Sequence, residues 1–348
     1  MESNRQNYHL PDNFIKYQDI IQQSLRPALN LNPEELNLLG HYQMGWVDEK
    51  GNTSIGSSGK ALRPSLCLLA CDAVGGSIDH AIPLAIALEI IHNFSLVHDD
   101  IQDEDLLRRH RPTVWALWGK KLALIAGNAM RTSADMSVYS LQSLGSTSSH
   151  ILYAINQLTE RYLEMIEGQY QDISFEQRTN VSTQEYLDMV EKKTGSLIEA
   201  SLHMGAFAGN ASFEQVSALG KFGRLIGLGF QVRDDMLGIW GSTETTGKGH
   251  GSDINRKKQA LPVLYAFENG NDLTKRKMAE IYSKDMLTPF DISEAIQLLD
   301  EVRAKEYCQQ VAEEYMNQAL NALKDAKLTE KWEITFEQLA NFMVLREF

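Results

Sequence analysis

The sequence predicts an all-α protein built from long helices, and three observations favour that class. No proline stands between Pro112 and Pro262, so nothing in that interval interrupts a helix by removing a backbone N–H. Apolar residues recur at helical spacing over several long stretches. Alternating strand patterns bounded by hairpin turns are nearly absent. We therefore expect a bundle of long helices.

The helical pattern is clearest over residues 78–101, where Pro83 lies near the predicted helix start, a position that tolerates proline. The same spacing recurs over residues 153–173, 187–206, 216–239 and 292–323. These five stretches are the predicted long helices.

The breaks between these helices are short. Gly75-Gly76 separates two helices, and residues 143–149 separate two more. The polar, glycine-rich residues 243–252 predict a flexible loop. We therefore expect one domain over residues 13–348, preceded by a disordered stretch over residues 1–12.

The composition of the 348-residue chain disfavours several classes of function. A net charge of −13 disfavours nonspecific nucleic-acid binding, which needs a basic surface. No stretch reaches the roughly 18 unbroken apolar residues of a membrane span, and residues 1–7 lack the apolar region of a secretory signal. We therefore expect a cytoplasmic protein without a transmembrane segment. The three cysteines are predicted to be small buried hydrophobes in a reduced protein.

An acidic cluster, Asp99-Asp100-Ile101-Gln102-Asp103, ends the most apolar predicted helix. Asp99 and Asp103 stand four residues apart, which places their carboxylates on one face of a helix. A divalent cation relieves their repulsion, and Mg²⁺ prefers oxygen ligands that it shares between one or two carboxylates and substrate phosphates. Taken alone, the cluster is equally well explained as a solvated, acidic helix end.

Two further features favour a metal site. The basic pair Arg108-Arg109 follows the cluster, and a second acidic pair, Asp234-Asp235, ends another apolar helix. A protein of net negative charge binds an anionic substrate through local cations, either basic side chains or metal ions held by carboxylates. We therefore expect the two acidic patches to face a cavity and to hold metal ions that bridge a diphosphate.

Several short motifs follow one another along the chain. They are Gly59-Lys60-Ala61-Leu62-Arg63-Pro64, Ile91-His92-Asn93-Phe94-Ser95-Leu96-Val97-His98-Asp99-Asp100, Arg108-Arg109-His110-Arg111-Pro112-Thr113, Lys193-Thr194-Gly195, Phe230-Gln231-Val232-Arg233-Asp234-Asp235, and Thr246-Gly247-Lys248 with Asp253 and Lys258. Each alone is weak, but the ordered set resembles the trans-prenyltransferases, also called isoprenyl diphosphate synthases, and most of all bacterial geranylgeranyl and farnesyl diphosphate synthases. The resemblance implies one domain of antiparallel helices around a central cavity, the isoprenoid synthase fold, and a homodimer.

The resemblance also implies a role for each matching residue. It implies Mg²⁺ ligands at Asp99, Asp103 and Asp234, with three ions per active site when substrate is bound, and support from Asp100 and Asp235. The implied allylic diphosphate site consists of Arg108, Lys193 and Lys248. The implied isopentenyl diphosphate site consists of Lys60, Arg63, His92 and Arg109. Thr194 and Gln231 would stabilise the developing allylic cation, and Lys258 belongs to the substrate-binding set.

Three positions depart from the family pattern. Gly238 stands where the commoner form of the second motif has a third aspartate, so we expect fewer alternative metal ligands but not inactivity. Asn128 replaces a usual aspartate and is assigned a structural role. Ala61 replaces a usual basic residue beside the implied isopentenyl diphosphate site.

The implied reaction is a head-to-tail condensation of isopentenyl diphosphate with an allylic diphosphate, and Phe94 is the predicted floor for the growing chain. Phe94 lies five residues before Asp99, about 7 to 8 Å along a helix axis. With the small Ser95 beside it and Ile91 one turn earlier, the pattern resembles that of geranylgeranyl (C20) synthases, with a farnesyl (C15) product as the alternative. Phe94 is also explained as an ordinary core residue.

Two other functions stay open. A class I terpene cyclase would ionise a prenyl diphosphate without using isopentenyl diphosphate, and the retained set of Lys60, Arg63, His92 and Arg109 argues against it. A noncatalytic subunit of a heteromeric synthase is disfavoured by the intact Asp99, Asp103, Lys193 and Asp234, although Gly238 and Asn128 leave room for it.

Overall fold

The computed structural model describes residues 9–54, 61–176, 178, 180–241 and 250–346, and most of these are helical. The α-helices are α1 (Asn13–Ala28), α2 (Glu34–Gln43), α3 (Leu62–Ala73), α4 (Ile78–Gln102), α5 (Val114–Tyr139), α6 (Ser148–Phe175), α7 (Thr183–Val190), α8 (Ser196–Ala208), α9 (Phe213–Trp240), α10 (Ser252–Asn255), α11 (Leu261–Asn269), α12 (Asp272–Ser283), α13 (Pro289–Glu301), α14 (Ala304–Leu323) and α15 (Glu330–Leu345). The predicted all-α class is confirmed.

The other elements are short. Two 3₁₀ turns cover Ser140–Leu144 and Lys324–Ala326, and one π-helical turn covers Glu191–Gly195. The strands β1 (Leu107–Arg108) and β2 (Arg111–Pro112) form a small antiparallel hairpin.

The described chain divides into two compact units that interleave along the sequence. The first unit comprises Asp12–Tyr162 and Ala200–Gly220. The second comprises the described residues of Leu163–Glu199 and Lys221–Phe348 together with residues 9–11. The single domain over residues 13–348 stays a prediction.

Helix α4 is the core helix of the first unit and packs against α3 and α5. Among the described residues it is the one helix long and apolar enough to cross a bilayer, but 72% of its apolar stretch is buried within the protein. A core helix of a soluble protein has these properties, because it is apolar on all sides. The helix therefore brings its polar last turn, Asp99 to Gln102, to the edge of a buried core.

The second unit has its own apolar core around the end of α9. Ile239 packs with Ile254 of α10, Val263 of α11, Met278 of α12 and Leu299 of α13. All five side chains are almost fully buried. This core fixes the short helix α10 beside the end of α9, where the second aspartate pair lies.

Two of the predicted helices are interrupted. The stretch 187–206 contains the π-turn Glu191–Gly195 between α7 and α8, and the stretch 292–323 breaks after α13. At the second break Arg303 adopts a left-handed conformation with φ 58°, and its N–H donates to the carbonyl of Asp300. Continuous helix was therefore wrong at the second place, whereas at the first the chain stays helical and only widens by one π-helical turn. Periodicity cannot show such breaks, because both flanking helices bury apolar faces.

Candidate active site

The first aspartate cluster lies at the end of α4. Asp103 caps the helix, and its N–H donates to the carbonyl of Asp99 at 2.8 Å. Asp103 is exposed and the side chain of Asp99 is one-fifth exposed, whereas Asp100 is 1% exposed. Successive helical residues point about 100° apart, so an adjacent pair cannot face the same way. The side chains of Asp99 and Asp103 therefore point toward solvent, and that of Asp100 points toward the core.

Asp100 holds Arg108 in place. Its Oδ1 accepts a hydrogen bond from Nε of Arg108 at 2.6 Å, and Nη2 of Arg108 lies 3.7 Å from Oδ2 of Asp99. Burial raises the pKa of Asp100 to about 6, and the nearby Arg108 opposes that rise. The arginine is thus fixed beside the outward-facing carboxylates by a buried one.

Arg108 and Arg109 lie on the β-hairpin that follows α4. The two turn residues, Arg109 and His110, have φ of 51° and 63°, a left-handed conformation that glycine or asparagine usually supplies. Thr113 secures the base of the hairpin through hydrogen bonds to the carbonyls of Leu106 and Asp105. On this turn Arg108 is half-buried and Arg109 is exposed.

Three of the residues predicted to bind isopentenyl diphosphate share one electrostatic environment. Burial lowers the pKa of His92 well below its usual value, and the positive charges of Arg63 and Arg109 lower it further. His92 is therefore neutral near pH 7. The fourth predicted residue, Lys60, lies outside the described residues.

A buried carboxyl group accompanies this set. Glu89 is 8% exposed, and Nδ2 of Asn93 donates to its Oε1 at 3.0 Å. Burial raises the pKa of Glu89, whereas Arg63 and Arg109 favour its charged form. Sequence reasoning missed Glu89, although a glutamate inside the most apolar helix is itself a signal.

The second aspartate pair repeats the division between outer and inner residues. Asp235 is fully buried and accepts hydrogen bonds from Tyr186, from Nζ of Lys258 at 3.0 Å and from Nε2 of Gln231 at 3.2 Å. Asp234 is partly exposed, with 38% of its side chain accessible. Lys258, predicted to bind substrate, is engaged by this buried carboxylate.

The C-terminal segment covers Asp234. Arg346 forms an ion pair with Asp234, and its guanidinium lies 4.6 Å from the ring centre of Phe230. Nε of Arg233 donates to the carbonyl of Arg346 at 2.7 Å, which fixes the segment. Sequence reasoning missed Arg346, and nothing in its local sequence marks it.

Asp253 occupies the space beside Gly238. A Cβ atom at position 238 would overlap the carboxyl group of Asp253, which is 7% exposed. Nζ of Lys258 lies 3.7 Å from Oδ2 of Asp253, so the lysine bridges Asp253 and Asp235. A carboxylate from α10 thus stands where the family's commoner motif has the side chain of its third aspartate.

The Lys193-Thr194-Gly195 motif lies on the π-turn. Nζ of Lys193 donates to Asp172 at 2.5 Å, and the hydroxyl of Thr194 donates to Oε1 of Gln231 at 3.1 Å. Thr194 and Gln231 are therefore in direct contact, and their action on the substrate stays a prediction. Lys248, with Thr246 and Gly247, lies outside the described residues.

Two of the three predicted chain-length residues, Ile91 and Phe94, are buried in α4, and Ser95 is half-buried. Phe94 is 6% exposed and Ile91 is 1% exposed, while Ser95 donates its hydroxyl to the carbonyl of His92. The ring of Phe94 meets His98 edge to face at 5.7 Å, and His98 in turn packs against Gly127, where a Cβ would overlap it. This contact was not expected from sequence.

The chain matches known proteins over most of its length. The sequence profile of the polyprenyl synthetase family matches residues 44–299. The (2E,6E)-farnesyl diphosphate synthase of Mycobacterium tuberculosis is 35% identical over 332 residues, which cover 94% of this chain and 91% of that protein. The geranylgeranyl diphosphate synthase of Methanosarcina mazei is 37% identical over 297 residues, which cover 84% and 88%. A crystal structure of a polyprenyl synthetase from Streptomyces coelicolor matches with a TM-score of 0.89 at 32% identity, covering 95% of this chain and 98% of that one.

The chain belongs to the polyprenyl synthetase family. It is therefore a prenyltransferase with the isoprenoid synthase fold, as the motifs predicted.

The side chains of this polyprenyl synthetase fit magnesium better than a transition metal. The described residues contain no group of three His, Cys, Asp or Glu side chains converging on one point. Asp100 nevertheless has a buried Oδ2 that accepts no hydrogen bond within the described chain, beside the outward-facing Asp99 and Asp103. An all-oxygen set of one or two carboxylates suits Mg²⁺, which completes its coordination with water and phosphate oxygens.

Proposed function

We propose that this polyprenyl synthetase condenses isopentenyl diphosphate with an allylic diphosphate, head to tail, to give a short-chain all-trans prenyl diphosphate. The observation that carries the proposal is the division within each aspartate pair. The inner residues, Asp100 and Asp235, are buried and bind Arg108 and Lys258, while the outer residues Asp99 and Asp234 are partly exposed and Asp103 is exposed. Such a division places the outer carboxylates where a cation would reach them, with basic groups beside them, and a cation at Asp234 would compete with Arg346.

In the proposed reaction the bond between the allylic C1 and its diphosphate breaks. The double bond of isopentenyl diphosphate attacks that carbon, and a proton then leaves to the departing diphosphate. Mg²⁺, which would be held by Asp99, Asp103 and Asp234, supplies charge neutralisation on the leaving group.

The basic side chains would grip the two diphosphates. Arg108 and Lys193 would hold the allylic diphosphate, and arginine binds phosphate oxygens in a bidentate manner. Arg63 and Arg109 would hold isopentenyl diphosphate, with the neutral His92 as a hydrogen-bonding partner that adds no charge. The Thr194–Gln231 pair would direct oxygen dipoles at the developing allylic cation.

For the product we propose geranylgeranyl diphosphate. The buried Phe94 with the small Ser95 beside it supports a floor that a C20 chain reaches. Relatives of this chain carry both farnesyl and geranylgeranyl names, so the C15 product is the alternative.

One incubation tests the reaction and its product. The purified protein is given Mg²⁺, isopentenyl diphosphate and each allylic diphosphate from C5 to C20, and products are identified by mass spectrometry. Linear elongated products ending at C20 are expected. Cyclic hydrocarbons formed without isopentenyl diphosphate would overturn the proposal in favour of a terpene cyclase. No turnover until a partner protein is added would indicate a noncatalytic subunit.

We also propose a homodimer in the cytoplasm. Helix α5 exposes an apolar stripe at helical spacing, with Leu122 47%, Ile125 53%, Met136 64% and Tyr139 52% exposed. Such a stripe is typical of a surface that another protein covers. The cysteines are buried as free thiols, which suits a reducing compartment. Light scattering should give twice the monomer mass for the wild type, and Ile125→Asp should lower it.

A further inference from the structure

The Lys193-Thr194 pair lies on a π-turn, whose geometry depends on contacts with neighbouring elements. The π-turn Glu191–Gly195 contains one residue more per turn than an α-helix. π-Helical geometry is rare and occurs mostly as single turns inside α-helices, so contacts with neighbouring elements are expected to stabilise this one. If the turn relaxed to α-helix, the register of its residues would shift by one, which rotates a side chain by about 100°. The contacts that hold the turn therefore decide where Lys193 and Thr194 point.

Glycines allow two helices to close on the turn. A Cβ at Gly168 of α6 would overlap the backbone of Lys193. On the other side, a Cβ at Gly195 would lie 3.3 Å from the carbonyl oxygen of Arg224 of α9. A Cβ at Gly227, one turn further along α9, would lie 3.0 Å from Cα of Gly195. The turn is thus sandwiched at backbone distance between α6 and α9.

The guanidinium of Arg224 binds carboxylates around the π-turn. Nη1 of Arg224 lies 3.1 Å from Oε1 of Glu191, Nη2 lies 2.7 Å from Oε2 of Glu164, and Nε binds Glu199. Burial opposes its charge, but the carboxylates of Glu199 and Glu164 overcome that effect and raise the pKa of Arg224 above its usual value. The three carboxylates belong to α6, to the π-turn and to α8. Arg224 therefore links Glu191, the first residue of the π-turn, to α6 and α8.

The residues of α6 that contact the π-turn and Arg224 lie on one face of that helix. Glu164, Gly168 and Asp172 stand four residues apart, and Asp172 accepts the hydrogen bond of Lys193. Removal of Arg224 would take away the cation that Glu164, Glu191 and Glu199 share. Their repulsion would push the turn away from α6 and carry Lys193 with it.

We propose that Arg224 is a positioning residue, which fixes the π-turn so that Lys193 and Thr194 meet the allylic diphosphate. The inference rests on the proposed condensation. We expect the positioning role to affect binding of the allylic diphosphate only. The residues that would hold isopentenyl diphosphate, Arg63, His92 and Arg109, belong to the first unit, whereas the π-turn belongs to the second.

Steady-state kinetics of Arg224→Met test the proposal. The expected result is a KM for the allylic diphosphate raised at least tenfold, with the KM for isopentenyl diphosphate within twofold of wild type. Lys221→Met is the matched control, since Lys221 is an exposed residue three positions earlier on α9. It should leave both constants unchanged.

A compensating variant separates positioning from general stability. Adding Glu191→Gln and Glu164→Gln to Arg224→Met removes two of the three carboxylates that Arg224 binds. The KM for the allylic diphosphate should return most of the way to the wild-type value. If Arg224 had a merely structural role, the triple variant would instead have a higher KM than Arg224→Met.

Hydrogen exchange gives a readout that needs no turnover. Amides of Glu191 to Gly195 should exchange faster in Arg224→Met than in Lys221→Met. Unchanged exchange there, or equal effects on both KM values, would overturn the positioning role. A wild-type protein that makes no linear product would overturn the proposed condensation instead, so the two failures are distinguishable.

Discussion

At the scale of single residues, helix geometry divides each aspartate pair. Neighbouring residues point about 100° apart, so a helix at the surface of a core turns one carboxylate out and the other in. A buried carboxylate is costly unless a cation pairs with it. Arg108 meets that need for Asp100, and Lys258 meets it for Asp235. The inner aspartates thus hold the basic residues that would bind diphosphate in the proposed reaction.

The place of Asp253 leads to a prediction about Gly238. Gly238→Asp restores the family's commoner motif, yet its Cβ must displace the carboxyl group of Asp253 and detach it from Lys258. We expect kcat/KM to fall at least tenfold, which corresponds to about 1.4 kcal/mol of transition-state stabilisation. The exchange variant Gly238→Asp with Asp253→Gly should recover part of the loss. Wild-type activity in Gly238→Asp alone would contradict the packing.

A second prediction concerns Phe94. Phe94→Ala removes a buried ring five residues before Asp99, so the product should lengthen beyond that of the wild type. Mass spectrometry of the products measures the change. Phe336→Ala, which removes a buried ring from α15, is the control and should lower stability without altering product length. An unchanged length distribution in Phe94→Ala would leave Phe94 as an ordinary core residue.

At the scale of elements, periodicity located the helices that carry the site, but it missed what shapes their ends. Helices α4 and α9 match the predicted stretches to within three residues at each end. The hairpin was missed because Arg109-His110 lacks the glycine or asparagine that marks such turns. The π-turn was missed because Gly168 and Arg224, distant in sequence, create it. Local sequence does not encode contacts of that range.

The left-handed turn of the hairpin predicts an effect of His110. Its φ of 63° strains any residue with a Cβ, and a β-branched residue most of all. His110→Gly should therefore stabilise the protein by about 1 kcal/mol and His110→Val should destabilise it by a similar amount. Urea unfolding measures both. Equal stability of the two variants would mean that the turn relaxes freely.

The contact between α6 and α8 predicts a dependence of stability on pH. The ring nitrogen of His203 lies 2.9 Å from the hydroxyl of Tyr153, and burial lowers the pKa of His203 to about 4. The unfolded chain protonates this histidine near pH 6.5. Between those values the unfolded state binds more protons, so stability falls as pH falls through that range.

The size of that effect can be measured. For His203 alone, the free energy of unfolding should fall by about 2 kcal/mol between pH 7 and pH 5. His203→Gln should lose less stability over this range than the wild type, as read from urea midpoints at the two pH values. The exposed His80 provides the control, because His80→Gln should follow the wild type. Parallel curves for all three proteins would contradict the buried, neutral state of His203.

At the scale of the whole molecule, the ordered motifs predicted the family and the fold, because a rare set of residues in order is specific even where each member is weak. They could not predict which groups already have protein partners. Lys193 is bound by Asp172, Asp234 by Arg346 and Lys258 by Asp235. These pairs join residues far apart in sequence, so they become visible only in the folded chain.

The two aspartate motifs lie in different units, and the sequence predicts that they serve one diphosphate. Mg²⁺ with inorganic diphosphate should therefore raise the melting temperature by a few degrees, since a ligand at 100 times its Kd adds about 2.7 kcal/mol. Neither component alone should give the full shift, and a chelator should remove it. Asp103→Asn and Asp234→Asn, one in each unit, should each abolish most of the shift, whereas the exposed Asp325→Asn should retain it. A shift that survives Asp234→Asn but not Asp103→Asn would mean that the first motif binds diphosphate by itself, and the second would then need a role apart from metal binding.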